Sequence, residues 1–282
     1  MNPVICYLSK SDAKTVKQLK ASLRLLHKNF NKQFNFPIRI FVERDFSHDV
    51  IRQLTDLYPT LSFIEIELEC PLGYIPKSLD GLNYHVGYKH MCQFFHSEFY
   101  KHLPEYDWYL RLDSDSFIID KINTNLFQHL KDTGKVYGYV AELPEWPPAV
   151  KHLDTWFEEF TNRHGIKTKL YNEIIQNGVY GYRQIYNNFE IISKEYFTND
   201  KVNFLIDALT SSGNIYHWRW GDAPLRTLIL SLCYDKSKLC RFGDIGYHHV
   251  FFHQKRSIRR TSLTGEMKNL FDNWNKNSDW IV

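Results

Sequence analysis

Residues 106–116 read Tyr106-Asp107-Trp108-Tyr109-Leu110-Arg111-Leu112-Asp113-Ser114-Asp115-Ser116. An apolar and aromatic run of this length, closed by short polar residues, has the pattern of a buried strand. The two aspartates stand one residue apart where that strand ends. Carboxylates so spaced can face one cation in the following turn, and Mg²⁺ or Mn²⁺ held by hard oxygen ligands keeps positions open for phosphate oxygens. The plainer alternative is an acid-rich turn that only closes the strand.

Upstream, Val4-Ile5-Cys6-Tyr7-Leu8 predicts a short buried strand. Asp12 then caps a helix with apolar positions at Val16, Leu19, Leu23 and Leu26, and Pro37–Val42 is strand-like again. Strand, helix, strand at this spacing is a βαβ unit, which implies a parallel sheet with a right-handed crossover. Ligands in such sheets gather beyond the carboxyl ends of the strands, so the loop after Leu8 is a place to expect a nucleotide. A helix over Asp49–Leu57, a strand over Leu61–Leu68, a Pro/Gly loop over Cys70–Leu82 and an aromatic-rich helix over Tyr84–Leu103 complete this half. Downstream, Val136–Val140 reads as a strand and Glu142–Pro148 as a loop. Thr155–Asn162 and Lys194–Leu209 read as helices, Gly213–Gly221 as a loop, and Asp222 as the cap of a helix with Pro224 in its first turn. The prediction is one α/β domain over residues 1–282, with 254–282 a polar extension that opens on the basic cluster Lys255–Arg260.

The 282 residues are 43% hydrophobic, 16% aromatic and 24% charged, which excludes a disordered or fibrous chain. A formal charge of +3 from 35 basic and 32 acidic residues, with no large basic stripe, argues against a nucleic-acid partner. No apolar run is long enough to cross a membrane, and residues 1–6 lack the pattern of a signal peptide. Five irregularly spaced cysteines without a CxxC, and no N-x-Ser/Thr sequon, point away from structural zinc and from secretion. With Met1 read as a natural start, these features predict a soluble, cytoplasmic protein.

Several further strings occur in one order: Tyr88-Lys89-His90-Met91-Cys92, Asn188-Phe189-Glu190-Ile191, Arg219-Trp220-Gly221-Asp222-Ala223-Pro224 and Asp244-Ile245-Gly246-Tyr247-His248-His249. With the Asp113-Ser114-Asp115 junction they resemble glycosyltransferase family 15, the fungal α-1,2-mannosyltransferases that use GDP-mannose, from about Val4 to His253. The resemblance implies a GT-A fold, a Rossmann-like and mainly parallel mixed sheet flanked by helices. It also implies a metal-dependent transferase that retains anomeric configuration, moving mannose from GDP-mannose to a hydroxyl of a glycan or protein.

Roles follow from the resemblance residue by residue. Asp113, Asp115 and His249 would hold Mn²⁺ or Mg²⁺; the family has Glu-Pro-Asp where this chain has Asp113-Ser114-Asp115, so the first acid is a methylene shorter. Glu190 matches an acid considered as the nucleophile beneath the donor sugar, against the plainer reading of a carboxylate held in a hydrogen-bond network. Asp222 would orient the acceptor hydroxyl, and Tyr88 would stand near donor and acceptor. Tyr7, Lys10, Asp113 and Ser114 are the nucleotide-binding candidates, while Trp218, Trp220 and Tyr247 are candidate platforms for a sugar face.

Two alternatives stay open in the sequence. One is the same fold with another nucleotide sugar or acceptor; the other is a catalytically silent sugar-binding module. Because the family is usually anchored in the Golgi membrane, the missing anchor suggests a displaced, for instance virus-encoded, cytoplasmic system. A Golgi-lumen enzyme whose anchor has been removed is the alternative.

Overall fold

The strands in chain order are β1 (Pro3–Leu8), β2 (Ile38–Val42), β3 (Leu61–Glu65), β4 (Trp108–Leu112), β5 (Phe117–Ile118), β6 (Tyr137–Tyr139) and β7 (Glu142–Pro144), followed by β8 (Ile175–Gln176), β9 (Val179–Tyr180), β10 (Arg183–Ile185), β11 (Phe189–Ser193), β12 (Leu239–Arg241), β13 (Tyr247–His249) and β14 (Phe252–Gln254). They come from a computed structural model that describes residues 1–70, 86–145, 147–166, 175–176, 179–180, 183–249 and 252–254. The C-terminal extension beyond Gln254, its basic cluster and the loop after Cys70 lie outside the described residues.

Seven strands form the central sheet in the order β12-β6-β11-β4-β1-β2-β3. β1 runs parallel to β2 and β4, β2 to β3, and β6 to β12, while β11 is antiparallel to both β4 and β6. The α/β architecture with a mainly parallel, mixed sheet is therefore the one expected. Both faces are covered, and the side chains of single strands divide between two cores. Val4 and Cys6 of β1 pack on one side, with Tyr109, Tyr137 and Ile192. Ile5 and Tyr7 pack on the other, with Leu110, Leu112, Phe189 and Ile191. Burial on both faces explains why β1 and β4 read as continuous apolar runs instead of alternating ones.

Local chemistry sets several boundaries where the sequence places them. Asp12 accepts a hydrogen bond from the Thr15 amide at 2.9 Å and caps the helix Ala13–Leu26. The helix predicted over Asp49–Leu57 spans His48–Leu57. Other boundaries move. The strand expected to reach Leu68 stops at Glu65, and the aromatic helix, described from Val86, ends at Ser97 before a 3₁₀ turn over Phe99–His102. The helix expected over Lys194–Leu209 breaks at Asn199, whose side chain accepts from Lys201 N and Val202 N and starts a second helix, Asp200–Ser212. Gly213–Gly221, expected as a loop, contains the short helix Asn214–Trp218 between left-handed residues Gly213 and Arg219 (φ 67° and 62°). Asp222 opens the helix Asp222–Cys233, but Gly221 occupies its cap position, which leaves the carboxylate available elsewhere.

His96 lies on the Val86–Ser97 helix with 1% of its surface exposed. Burial, reinforced by the neighbouring Arg226 charge, pushes its pKa down to about 3. An unfolded chain would protonate the same imidazole near 6.5. Between those values the unfolded state binds the extra proton, so stability falls as pH falls, by up to about 1.4 kcal/mol per pH unit. Urea titrations from pH 7 to pH 4 should show this slope in the wild type and a shallower one in His96→Gln; equal slopes would refute the assignment.

Candidate active site

β1 has β4 on one side and β2 on the other, so the order of strands reverses at β1 and opens a crevice beyond its carboxyl end. The Asp113–Ser116 turn closes β4 at that crevice. Ser114 Oγ donates to the Leu8 carbonyl at 3.0 Å, joining the ends of the two strands. Ser116 fastens the turn from within: its Oγ accepts from the Asp113 amide at 3.1 Å, donates to the Asn188 carbonyl at 2.9 Å and lies 2.6 Å from the Tyr247 hydroxyl.

β5 follows this turn and pairs with β13, which brings His249 back to the two aspartates. The approach is close at Gly246, where a Cβ would stand 2.8 Å from Asp120 Cβ. Asp113, Asp115 and His249 each offer a ligand atom, all within 4.8 Å of one another. His249 Nε2 is 3.1 Å from Asp115 Oδ1 and 3.7 Å from Asp113 Oδ2. Burial alone would raise the Asp115 carboxyl, but the hydrogen bond and charge of His249 hold it below its usual range. Burial would likewise depress His249, yet Asp115 and Asp113 outweigh it and raise the imidazole above its ordinary value. Two carboxylate oxygens and one imidazole nitrogen make a donor set that suits Mn²⁺ better than the oxygen-preferring Mg²⁺.

Behind these residues lies a buried charge network centred on Arg111, which has 1% of its side chain exposed. The antiparallel register sets Glu190 of β11 directly opposite Arg111 of β4. Arg111 Nη1 donates to Glu190 Oε1 at 3.4 Å and to Asp222 Oδ2, while Nη2 donates to Asp113 Oδ1 at 3.2 Å. Its guanidinium stacks 3.7 Å from the Phe95 ring centre. A second buried cation, Arg226, reaches Glu190 Oε2 at 3.3 Å, and the Tyr137 hydroxyl donates to the same oxygen. Asn187 Nδ2 donates to Asp222 Oδ2 at 2.8 Å. Burial would raise the Asp222 carboxyl, but Arg111, then Asn187 and Arg226, hold it below the usual range.

The other candidates separate into those near the crevice and those packed away from it. Lys10 is exposed, with its ammonium beside Gly87. The Tyr88 hydroxyl is 3.5 Å from a Cβ position on Gly221, next to Asp222, and Arg219 covers its ring at 4.4 Å. Glu190 has no exposed surface and both oxygens are engaged, so this geometry supports the network reading of that acid over the nucleophile reading. Tyr7 is fully buried, its hydroxyl 3.0 Å from Ser22 Oγ, and presents no side chain to a nucleotide. Trp220 and Tyr247 are not open platforms. Trp220 is buried with its indole N–H donating to the Lys151 carbonyl at 2.9 Å, and Tyr247 is buried against Phe189 beneath the Asp113–Ser116 turn.

Sequence reasoning gave no role to Arg226 or Tyr186, quoted Arg111 and Asn188 only as parts of motif strings, and set Asn187 and Asn188 beside Glu190, whereas their side chains reach Asp222 and Asp113. Arg111 carried a signal, since a charge within the apolar run Trp108–Leu112 needs a buried counter-charge. Nothing in the sequence named Glu190 and Asp222 as its partners, because they arrive from strands and helices far along the chain.

The family described as glycolipid 2-alpha-mannosyltransferase matches residues 1–278 of this chain. The chain belongs to that family. Among curated relatives, the probable mannosyltransferase KTR4 of Saccharomyces cerevisiae is 28% identical over 262 residues, covering 82% of this chain and 56% of the relative. The glycolipid 2-alpha-mannosyltransferase of the same yeast is 25% identical over 279 residues, covering 88% and 61%. The chain thus spans little more than half the length of these relatives. Among solved structures, the mannosyltransferase Ktr4p from S. cerevisiae superposes with a TM-score of 0.79 at 25% identity, covering 93% of this chain and 73% of that one. Core-mannan synthase A from Aspergillus fumigatus, in its Mn/GDP form, gives 0.81 at 18% identity, covering 96% and 82%. The fold is GT-A.

Removing one partner of a buried ion pair leaves the other charge uncompensated and costs about 3–5 kcal/mol. Arg111→Met should therefore lose stability on that scale in urea denaturation. Arg111→Lys, which keeps the charge but not the planar fork, should recover only part of the loss. Wild-type stability in Arg111→Met would show that the network contributes nothing.

Proposed function

We propose that this chain is a metal-dependent, retaining hexosyltransferase that moves mannose from GDP-mannose to a hydroxyl of a glycan or glycoprotein, forming an α-1,2 linkage. One observation carries the reading: Asp113, Asp115 and His249 converge where the strand order reverses, in a chain that its family matches over residues 1–278. The Mn/GDP form of the Aspergillus protein and a GDP complex of yeast Ktr4p support the choice of nucleotide and metal.

In this reading Asp113, Asp115 and His249 hold the divalent cation, whose charge would offset the negative charge developing on the leaving diphosphate. Ser114 fixes the turn against β1, and the exposed Lys10 supplies a cation for the phosphates. Asp222, kept ionised by Arg111 and Asn187, orients the acceptor hydroxyl, with Tyr88 beside it. Glu190, sealed from solvent, acts as the counter-charge of Arg111 and Arg226 and not as a nucleophile. Retention then proceeds by attack on the same face from which the diphosphate leaves, with no glycosyl-enzyme. For location, no helix among the described residues is long and apolar enough to cross a membrane, and all five cysteines are free, which suits a reducing cytoplasm.

Incubation with labelled GDP-mannose and Mn²⁺ should release GDP and, with a mannoside acceptor, give an α-linked product by NMR. EDTA or Asp115→Asn should abolish turnover. Activity with a UDP-sugar alone, or equal activity in EDTA, would overturn the assignment.

Glu190→Gln separates the two roles of that acid. As a buried counter-charge it should lose thermal stability and turnover together. A fall in kcat with an unchanged unfolding midpoint would restore Glu190 to the nucleophile role.

A further inference from the structure

Three consecutive residues before β11 reach members of the site, and Asn188 Nδ2 also lies 3.4 Å from His249 Nε2. Tyr186 is hydrogen-bonded through its hydroxyl to His249 Nδ1, Asn187 Nδ2 donates to Asp222 Oδ2 at 2.8 Å, and Asn188 Nδ2 donates to Asp113 Oδ2 at 3.2 Å. Their own backbone is fixed. The Tyr186 amide donates to the Ala141 carbonyl at 2.9 Å, and the Asn188 carbonyl accepts from Ser116 Oγ and from the Asp113 amide. The segment is thus anchored to the turn that carries Asp113 and Asp115.

Of the three, Tyr186 makes the contact with the most specific consequence. An imidazole binds a cation through an unprotonated nitrogen, and the partner of the other nitrogen decides which one that is. In His249, Nε2 faces the aspartates, 3.1 Å from Asp115 Oδ1, and Nδ1 faces Tyr186. The rings of Tyr186 and His249 meet edge to face at 72°, with centres 5.5 Å apart, so packing fixes the imidazole plane as well. We propose that Tyr186 is a positioning residue for the metal site: its oxygen accepts the Nδ1 proton of His249, so that when a cation takes the place of the proton Nε2 shares with Asp115, the Nε2 lone pair is aimed between Asp113 and Asp115. The inference rests on the metal-binding reading given above.

The test is Mn²⁺ affinity, measured on the full chain with Mn²⁺ alone by following free Mn²⁺ in EPR titrations. Loss of a hydrogen-bonding partner behind a metal-ligating histidine typically costs about 10–100-fold in affinity. Tyr186→Phe keeps the ring and should weaken Mn²⁺ binding on that scale, with an unchanged unfolding midpoint of the metal-free protein. In an His249→Ala background the same change should have no further effect on Mn²⁺ binding. An equal loss in both backgrounds would show that the hydroxyl acts on the local structure and not through His249, and would overturn the proposal. Wild-type affinity in Tyr186→Phe would overturn it too, while leaving the metal site standing. A wild type that binds no Mn²⁺ would remove the metal reading and this inference together.

Discussion

A guanidinium sealed from water must find its counter-charges inside the protein, and Arg111 finds Asp113, Glu190 and Asp222. The three acids come from the end of its own strand, from the antiparallel neighbour and from the helix that follows the Arg219–Gly221 turn. Each alone would be costly to bury. Together with Arg226 they form a set in which every charge has an opposite one within hydrogen-bond reach, and losing one member strands the rest. The network fixes β4 against β11 and holds the Asp222 helix over that pair. It therefore determines where Asp113 and Asp222 stand relative to each other.

That arrangement divides labour across the sheet. The face beneath the crevice carries the charge network and the aromatic core around Phe95, Tyr109 and Tyr196, while the opposite face holds Tyr7, Phe189 and Tyr247. Trp220 and Tyr247, which could have stacked on a sugar, serve as packing, with the indole N–H and the hydroxyl tied to neighbours, while Trp218 is only partly buried. The groups gathered at the metal-ligating end of the crevice are short and polar, aspartate, serine, asparagine and histidine, with the longer Lys10 and Tyr88 beside them. Short side chains lose little rotamer freedom when fixed, which suits a site that must hold ligand atoms in place.

Much of the fold was legible because its signals are local. The Asp12 cap, the apolar spacing along Ala13–Leu26 and the continuous runs of β1 and β4 follow from neighbouring residues alone. Where the sequence offered no element or the wrong local role, a distant contact decided the outcome. The segment Phe189–Ser193 is flanked by asparagines and a lysine and gives no strong strand pattern by itself; it becomes a central strand because β4 and β6 supply both edges. Asp222 reads as a helix cap, since an acid two residues before a proline usually is one, but Arg111 attracts the carboxylate away.

The sequence by itself determined the α/β class, the family and the identity of the metal-ligating candidates Asp113, Asp115 and His249, because strand periodicity and short motifs are written in contiguous residues. Only the tertiary structure decided what those motifs do to one another. It placed Glu190 out of solvent between two arginines, buried Tyr7, Trp220 and Tyr247, and set Tyr186 behind His249. The reason is physical: whether a carboxylate is a nucleophile, a ligand or a counter-charge depends on the solvent and charges around it. The carboxylates of Glu190 and Asp222 are hydrogen-bonded by residues 35 to 111 positions away, which no local pattern can specify.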